Sequence, residues 1–217
     1  QKNKRKISQL AIENHLLSLE QKTLQLQMNP HFIFNVLNGI KALGSLGKTE
    51  QMNETIHTFA FLLRSILNSS KLEEVSLADE IKTLRNYMTL EQQMSVNLFE
   101  YIIDVKTNNI DPEELLIPPM LLQPFVENSI KHGFYQLNKK GKITISFSVK
   151  GEFLQCKIKD NGIGIKKSKE QKKQHHASMA MQVTKERIER LSGKNTLHVT
   201  DENGTLISFT IPLKTDY

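Results

Sequence analysis

The chain has 217 residues, 38% hydrophobic and 24% charged, enough apolar material for one large or two small folded units and too much for a disordered chain. Its single cysteine, Cys156, excludes an internal disulfide framework. The longest apolar stretch, 115–126, is interrupted by prolines and Gln123, and falls well short of the ~20 residues that span a bilayer. The net charge of +6 is concentrated in Lys2-Asn3-Lys4-Arg5-Lys6 and in 166–173. The first cluster fits a juxtamembrane basic flank. The lysines carry no interleaved aromatics and no zinc motif accompanies them, which argues against direct nucleic-acid binding.

Residues 7–46 read as one long helix. Leu10, Leu17 and Leu24 repeat by seven on one side, and Leu19, Leu26, Ile33 and Ile40 on the other. A helix apolar on two sides needs two partners, as in a bundle or dimer. Pro30 removes a backbone hydrogen bond and predicts a kink there. Gly44 and Gly47 mark a turn, and a second helix follows over 53–68 with Ile56, Phe59, Ala60, Leu63 and Leu67 as its apolar stripe. Two such hairpins from two chains would form a four-helix bundle.

Ser76 and Asp79 form a capping-box pattern that opens a helix running to about Met94. Beyond it the hydrophobic period changes from 3.6 to 2, which places a domain boundary near 74–76. The division is a helical hairpin over 1–74 and a second domain over 75–217. A strand is predicted over 100–105. Ile143, Ile145, Phe147 and Val149 alternate with polar residues, as do Leu154, Cys156 and Ile158, and Lys150-Gly151-Glu152 joins them as a hairpin. A final hairpin turns at Asn203-Gly204 between a strand ending at Thr200 and one over 205–211. Helices fall at 119–133 and 178–192. The fold class is therefore α+β, with a mixed, largely antiparallel sheet and helices on one face.

On the 119–133 helix, Leu122, Phe125, Val126, Ser129, Ile130 and Gly133 gather on one side, and Glu127, Asn128, Lys131 and His132 on the other. An acid, an amide, a cation and an imidazole thus share two turns. Strand parity then points Asp160 to the core face with Leu154, Cys156 and Ile158. A carboxylate directed inward needs a specific donor, and an adenine amino group is one such donor. Gly162 and Gly164 permit positive φ and close approach of a ligand.

These segments carry a resemblance. Pro124-Phe125-Val126-Glu127-Asn128-Ser129-Ile130-Lys131-His132-Gly133 resembles the N box of the GHKL ATPase superfamily, and Asp160-Asn161-Gly162-Ile163-Gly164 its first glycine box. Gln27-Met28-Asn29-Pro30-His31-Phe32-Ile33-Phe34-Asn35 resembles the histidine box of LytS-type sensor histidine kinases. The segment 77–91, with Tyr87 and Glu91, is also similar to that family. The resemblance runs from about Leu24 to the C-terminus.

It implies a GHKL-type α/β sandwich that binds ATP and Mg²⁺, with Asn128 as the metal ligand. Asp160 would accept from adenine, Thr205 through water, while Gly162 and Gly164 line the nucleotide. Glu127, Lys131 and His132 would face the phosphates. His31 would take the γ-phosphoryl group and pass it to an aspartate of a response regulator receiver domain. The resemblance further implies a homodimer, and a parent protein anchored in the inner membrane upstream of residue 1, this region being cytoplasmic.

Three departures stand out. Phe32 occupies the position where many histidine kinases carry an acid that serves as general base; Glu127 is the candidate instead, with Asn35 orienting the imidazole one turn beyond. Ser178-Met179-Ala180-Met181 replaces a glycine-rich lid end, though a helix N-terminus at Ser178 could still attract phosphate. Met94 stands where the family often has Arg. Two other readings compete: an ATP-hydrolysing clamp in which Glu127 activates water, and a catalytically degenerate dimeric scaffold, motivated by Ala180. His175-His176 lacks the further ligands a metal site needs.

Overall fold

The computed structural model describes residues 30–94, 99–134, 137, 139–164, 179–193, 196–201 and 203–216. The expected helical segment 7–29, the lysine-rich lid 166–177 and Ser178 lie outside them. Helix α1 (Pro30–Ser45) and helix α2 (Thr49–Ser69) form the expected hairpin, with Gly47 at φ +69° in the turn. Strand β1 (Val75–Ser76) leads into helix α3 (Leu77–Met94). The Asp79 N–H donates to Ser76 Oγ at 3.1 Å, which caps that helix as its sequence predicts. The three helices pack against one another.

The inward face of α2 differs from the expected stripe. Thr55, Phe59, Leu62 and Ile66 are buried, whereas Ile56 is 42% and Leu67 55% exposed. On a helix carrying apolar residues on two faces, periodicity alone does not decide which one the same chain covers. Here α3 takes the Phe59–Leu62–Ile66 face. The Thr55 hydroxyl fits there because it donates to its own helix at Gln51 O, 2.7 Å away.

The remaining elements are β2 (Phe99–Lys106), β3 (Leu116–Ile117), α4 (Gln123–Asn128), β4 (Gly141–Lys150), β5 (Phe153–Asp160), α5 (Met179–Ser192), β6 (His198–Asp201) and β7 (Thr205–Pro212). The main sheet has the order β2-β4-β5-β7-β6. β2 runs parallel to β4 and the other three pairs are antiparallel. β1 and β3 form a separate antiparallel pair. The inward residues of β4 and β5, including Ile143, Ile145, Phe147, Leu154, Cys156 and Ile158, are buried as their alternation requires. α3 packs on β2 and α5 on β7, giving a helix-on-sheet sandwich beside the helical hairpin.

The expected 119–133 helix is shorter and divided. α4 starts at Gln123, and a single π-helical turn covers Ser129–Gly133, closed by the Phe134 N–H donating to Ser129 O at 3.0 Å. The late start has an identifiable cause. Met120 sits at φ +56°, a left-handed conformation that a non-glycine residue adopts only under external constraint. The constraint is Glu80 of α3, a buried carboxylate that accepts the Met120 N–H at 2.9 Å and the Leu122 N–H at 3.4 Å. Arg187 of α5 donates to Pro119 O at 3.1 Å and fixes the same turn from the other side. Burial pushes the Glu80 carboxyl above its ordinary range; the backbone donors and the Arg187 charge pull it back.

Ile66→Ala is expected to lower the unfolding free energy by about 2–5 kcal/mol in urea denaturation. A loss below about 1 kcal/mol would place that face of α2 outside the core.

Candidate nucleotide and phosphotransfer site

Asp160 ends β5 at 4% exposure. Its carboxylate gathers three protein donors. The Ser129 hydroxyl donates to Oδ2 at 2.8 Å, and the N–H groups of Gly162 and Thr205 donate to Oδ1 at 2.9 and 3.0 Å. The inward carboxylate is thus largely satisfied by the chain itself. A carboxylate has about four acceptor directions, and the described residues fill three of them, which leaves one for a further donor.

Two features around this carboxylate escape the periodicity of the sequence. Ser129 lies on the apolar side of its helix, where a hydroxyl reads as a tolerated small residue; a buried hydroxyl facing an inward aspartate was the available signal. Gly204, at φ +131°, is the other. A Cβ there would lie 2.1 Å from Asp160 O, so only glycine lets the last hairpin approach the strand end.

The glycine box is held against the N-box segment by backbone. The Ile163 N–H donates to Gly133 O at 2.9 Å, and a Cβ on Gly162 would lie 2.4 Å from that carbonyl oxygen. Gly164 has φ +80°, and a Cβ there would meet the Asp201 carboxylate. Both glycines are therefore required by contacts within the chain. The Asn161 side chain accepts the Lys142 N–H at 2.7 Å and donates to Lys140 O at 3.1 Å, which ties the loop to β4.

The polar face of the N-box segment forms as expected. Glu127, Asn128, Lys131 and His132 are all half-buried, while Phe125, Val126, Ser129, Ile130 and Gly133 turn inward. Glu127 and Lys131 form an ion pair along the helix. Asn128 closes α4 where the π turn begins; such turns often mark functional positions. The amide oxygen of Asn128 is a hard donor of the kind Mg²⁺ takes, beside phosphate oxygens. With the Lys131 cation and the His132 imidazole within one turn, the donor chemistry here suits a metal-bound polyphosphate.

His31 lies exposed on α1. Its Nδ1 is 3.3 Å from the Asn35 amide nitrogen, one turn on. The next residue, Phe32, is buried, and its ring packs against that of Tyr87 in α3 with centroids 5.0 Å apart and a tilt of 40°. The Tyr87 hydroxyl donates to Glu91 Oε1 at 2.8 Å. Burial, and then the Glu91 charge, hold the Tyr87 hydroxyl well above its ordinary range. Burial also raises the Glu91 carboxyl. The Tyr87 hydrogen bond, Lys131 and His31 oppose that rise, and Glu127 adds to it. α3 thus carries a carboxylate within electrostatic reach of both the histidine helix and the N-box segment.

Residues 19–97 match the family described as "Histidine kinase", and residues 119–215 the family described as "Histidine kinase-, DNA gyrase B-, and HSP90-like ATPase". The chain is 35% identical over 162 residues to "Sensor protein LytS" of Staphylococcus epidermidis, covering 73% of this chain and 26% of that protein. It is 36% identical over 157 residues to "Sensor histidine kinase/phosphatase LytS" of Staphylococcus aureus, covering 71% and 26%. The chain therefore spans about a quarter of the length of these relatives. Among solved structures, the histidine kinase domain of the blue-light activated histidine kinase from Erythrobacter litoralis is 14% identical with a TM-score of 0.49, covering 92% of this chain and 93% of that one.

Ser129→Ala removes one donor from a buried carboxylate and is expected to cost about 1.5–3 kcal/mol of stability in urea denaturation. No measurable loss would mean that the Ser129–Asp160 bond does not hold the site together.

Proposed function

We propose, for a chain that belongs to the LytS-type sensor histidine kinases, that it is the cytoplasmic catalytic region of a two-component sensor, which binds Mg-ATP and phosphorylates its own His31. Two working parts divide the labour: 1–74 carries the histidine and dimerises, and 75–217 holds the nucleotide. The observation that carries the reading is the exposed His31 imidazole on a helix docked, through Phe32 and Tyr87, on α3, whose Glu91 lies in the field of His31, Glu127 and Lys131.

Asp160 would accept from the adenine amino group through its remaining acceptor direction, with Thr205 beside it and Gly162 and Gly164 lining the nucleotide. Asn128 would ligate Mg²⁺, and Lys131 and His132 would face the phosphates. When bound, Mg²⁺ supplies neutralisation of the charge on the transferring group. Ser178 would meet phosphate at the start of the lid helix.

His31 is the nucleophile. Its Nε2 lone pair forms the N–P bond as the bond from the γ-phosphorus to the bridging oxygen breaks and that oxygen leaves with ADP. This needs the tautomer with hydrogen on Nδ1. Asn35 selects it when its amide oxygen, rather than its nitrogen, faces Nδ1; both orientations satisfy the 3.3 Å separation. Glu127 is the candidate base, its carboxylate held in place by Lys131. The phosphoramidate then passes to an aspartate of a receiver domain. Phe34, Leu37, Ile56 and Leu67 present large apolar surface on α1 and α2, which supports a four-helix bundle between two chains. A match to only 26% of the length of the relatives, together with the basic cluster 2–6, supports a parent anchored in the inner membrane upstream of residue 1.

Incubation with γ-labelled ATP is expected to place acid-labile, base-stable label on the chain. His31→Gln abolishes it, and Asn128→Ala reduces it by roughly tenfold or more, the scale of removing a charge-stabilising contact in phosphoryl transfer. Label that survives His31→Gln would refute the assignment. ATP hydrolysis without label would favour the clamp, and neither label nor hydrolysis the scaffold.

A further inference from the structure

The position after the nucleophile is Phe32, so the chain's own histidine box supplies no acid. Phe32 is nonetheless used: it is buried against Tyr87, and Tyr87 is bonded to Glu91 one turn along α3. The residue that displaces the acid from the histidine box thereby docks a helix that brings another. We propose that Glu91, held on α3 by the tyrosine against which the histidine helix packs, is a positioning residue for phosphoryl transfer, and that its carboxylate stabilises the charge the His31 imidazole gains as it bonds to phosphorus. This rests on the kinase reading above.

Glu91 is suited to that role for three reasons. It is only partly exposed, so its field is less screened than that of a surface acid. One oxygen is held by the Tyr87 hydroxyl at 2.8 Å, which fixes the carboxylate on the α3 backbone. The charged groups that act on it are His31 on α1 and Glu127 and Lys131 on the N-box segment. Glu127 and Lys131 are paired with each other, and His31 is the group that becomes positive during the reaction. As Nε2 bonds to phosphorus the ring becomes cationic, and it becomes neutral again when Nδ1 gives up its proton, for which Glu127 is the candidate acceptor. A fixed anion near the ring favours the cationic stage and costs no reorganisation. The Phe32–Tyr87 ring contact holds α1 against α3.

The test is the rate of His31 labelling by γ-labelled ATP in the 217-residue chain, across a range of ATP concentrations. Glu91→Gln is expected to lower the maximal rate by roughly tenfold or more, with the KM for ATP and the melting temperature unchanged. Glu91→Asp, which keeps the charge, is expected to stay within roughly tenfold of the unsubstituted chain. Tyr87→Phe keeps the Glu91 charge and removes only its hydrogen bond, so it is expected to stay within about threefold, a loss worth less than 1 kcal/mol. A Glu91→Gln rate less than about tenfold below the unsubstituted chain overturns the inference. So does an equal loss in Tyr87→Phe, because Glu91 would then serve only to satisfy the hydroxyl. Should Glu91→Gln melt early, Glu91→Asp decides: a loss beyond tenfold at an unchanged melting temperature also overturns it. If the unsubstituted chain takes no label on His31, the kinase reading fails, and this inference with it.

Discussion

The second half of the chain depends on one buried carboxylate. Asp160 stands at the end of β5 and draws donors from three separate segments: the Ser129 hydroxyl, the Gly162 N–H and the Thr205 N–H. An inward carboxylate left without partners costs several kcal/mol. The glycine loop, the N-box segment and the last hairpin must therefore converge on it. Their backbones can do so only because Gly162 and Gly204 carry no Cβ; one at either position would lie within 2.4 Å of a carbonyl oxygen. A nucleotide site built on this knot inherits its rigidity, since the groups proposed to meet adenine are the groups that hold three elements together.

Helix α3 performs the complementary task. Near its start, buried Glu80 holds Met120 in a left-handed conformation and so sets where α4 begins. Near its end, Tyr87 and Glu91 meet the histidine helix and the field of Glu127 and Lys131. One helix thus fixes both the start of the N-box segment and the surroundings of His31. Two of its acids lie in partly or fully buried settings, and each has hydrogen-bond donors that offset its desolvation.

Much of this was legible in the residues. Strand alternation over 143–149 and 154–158 turned Asp160 inward before any contact was known, because a period of two leaves only two faces. The 100° periodicity sorted Glu127, Asn128, Lys131 and His132 from the buried side of the N-box segment. Capping chemistry at Ser76 and the Asn203-Gly204 turn gave element boundaries to within a residue or two. What escaped has a common cause: it depended on partners distant in sequence. The buried face of α2 was settled by α3. The late start of α4 was imposed by Glu80 from 40 positions upstream. Periodicity of 3.6 cannot foresee a π turn, and a serine among apolar neighbours does not announce that a carboxylate 31 positions away will claim it. Nor could the strand pattern say that β2 pairs parallel to β4.

The central claim is that the Asp160 knot and the N-box segment form one nucleotide site. Calorimetric titration with a non-hydrolysable ATP analogue and Mg²⁺ tests it most directly, comparing the unsubstituted chain with Asp160→Asn. The account predicts binding by the former and a loss of roughly tenfold or more in the latter, about 1.4 kcal/mol, because an amide in that place turns a donor toward the adenine amino group. Equal affinity in the two proteins would contradict it.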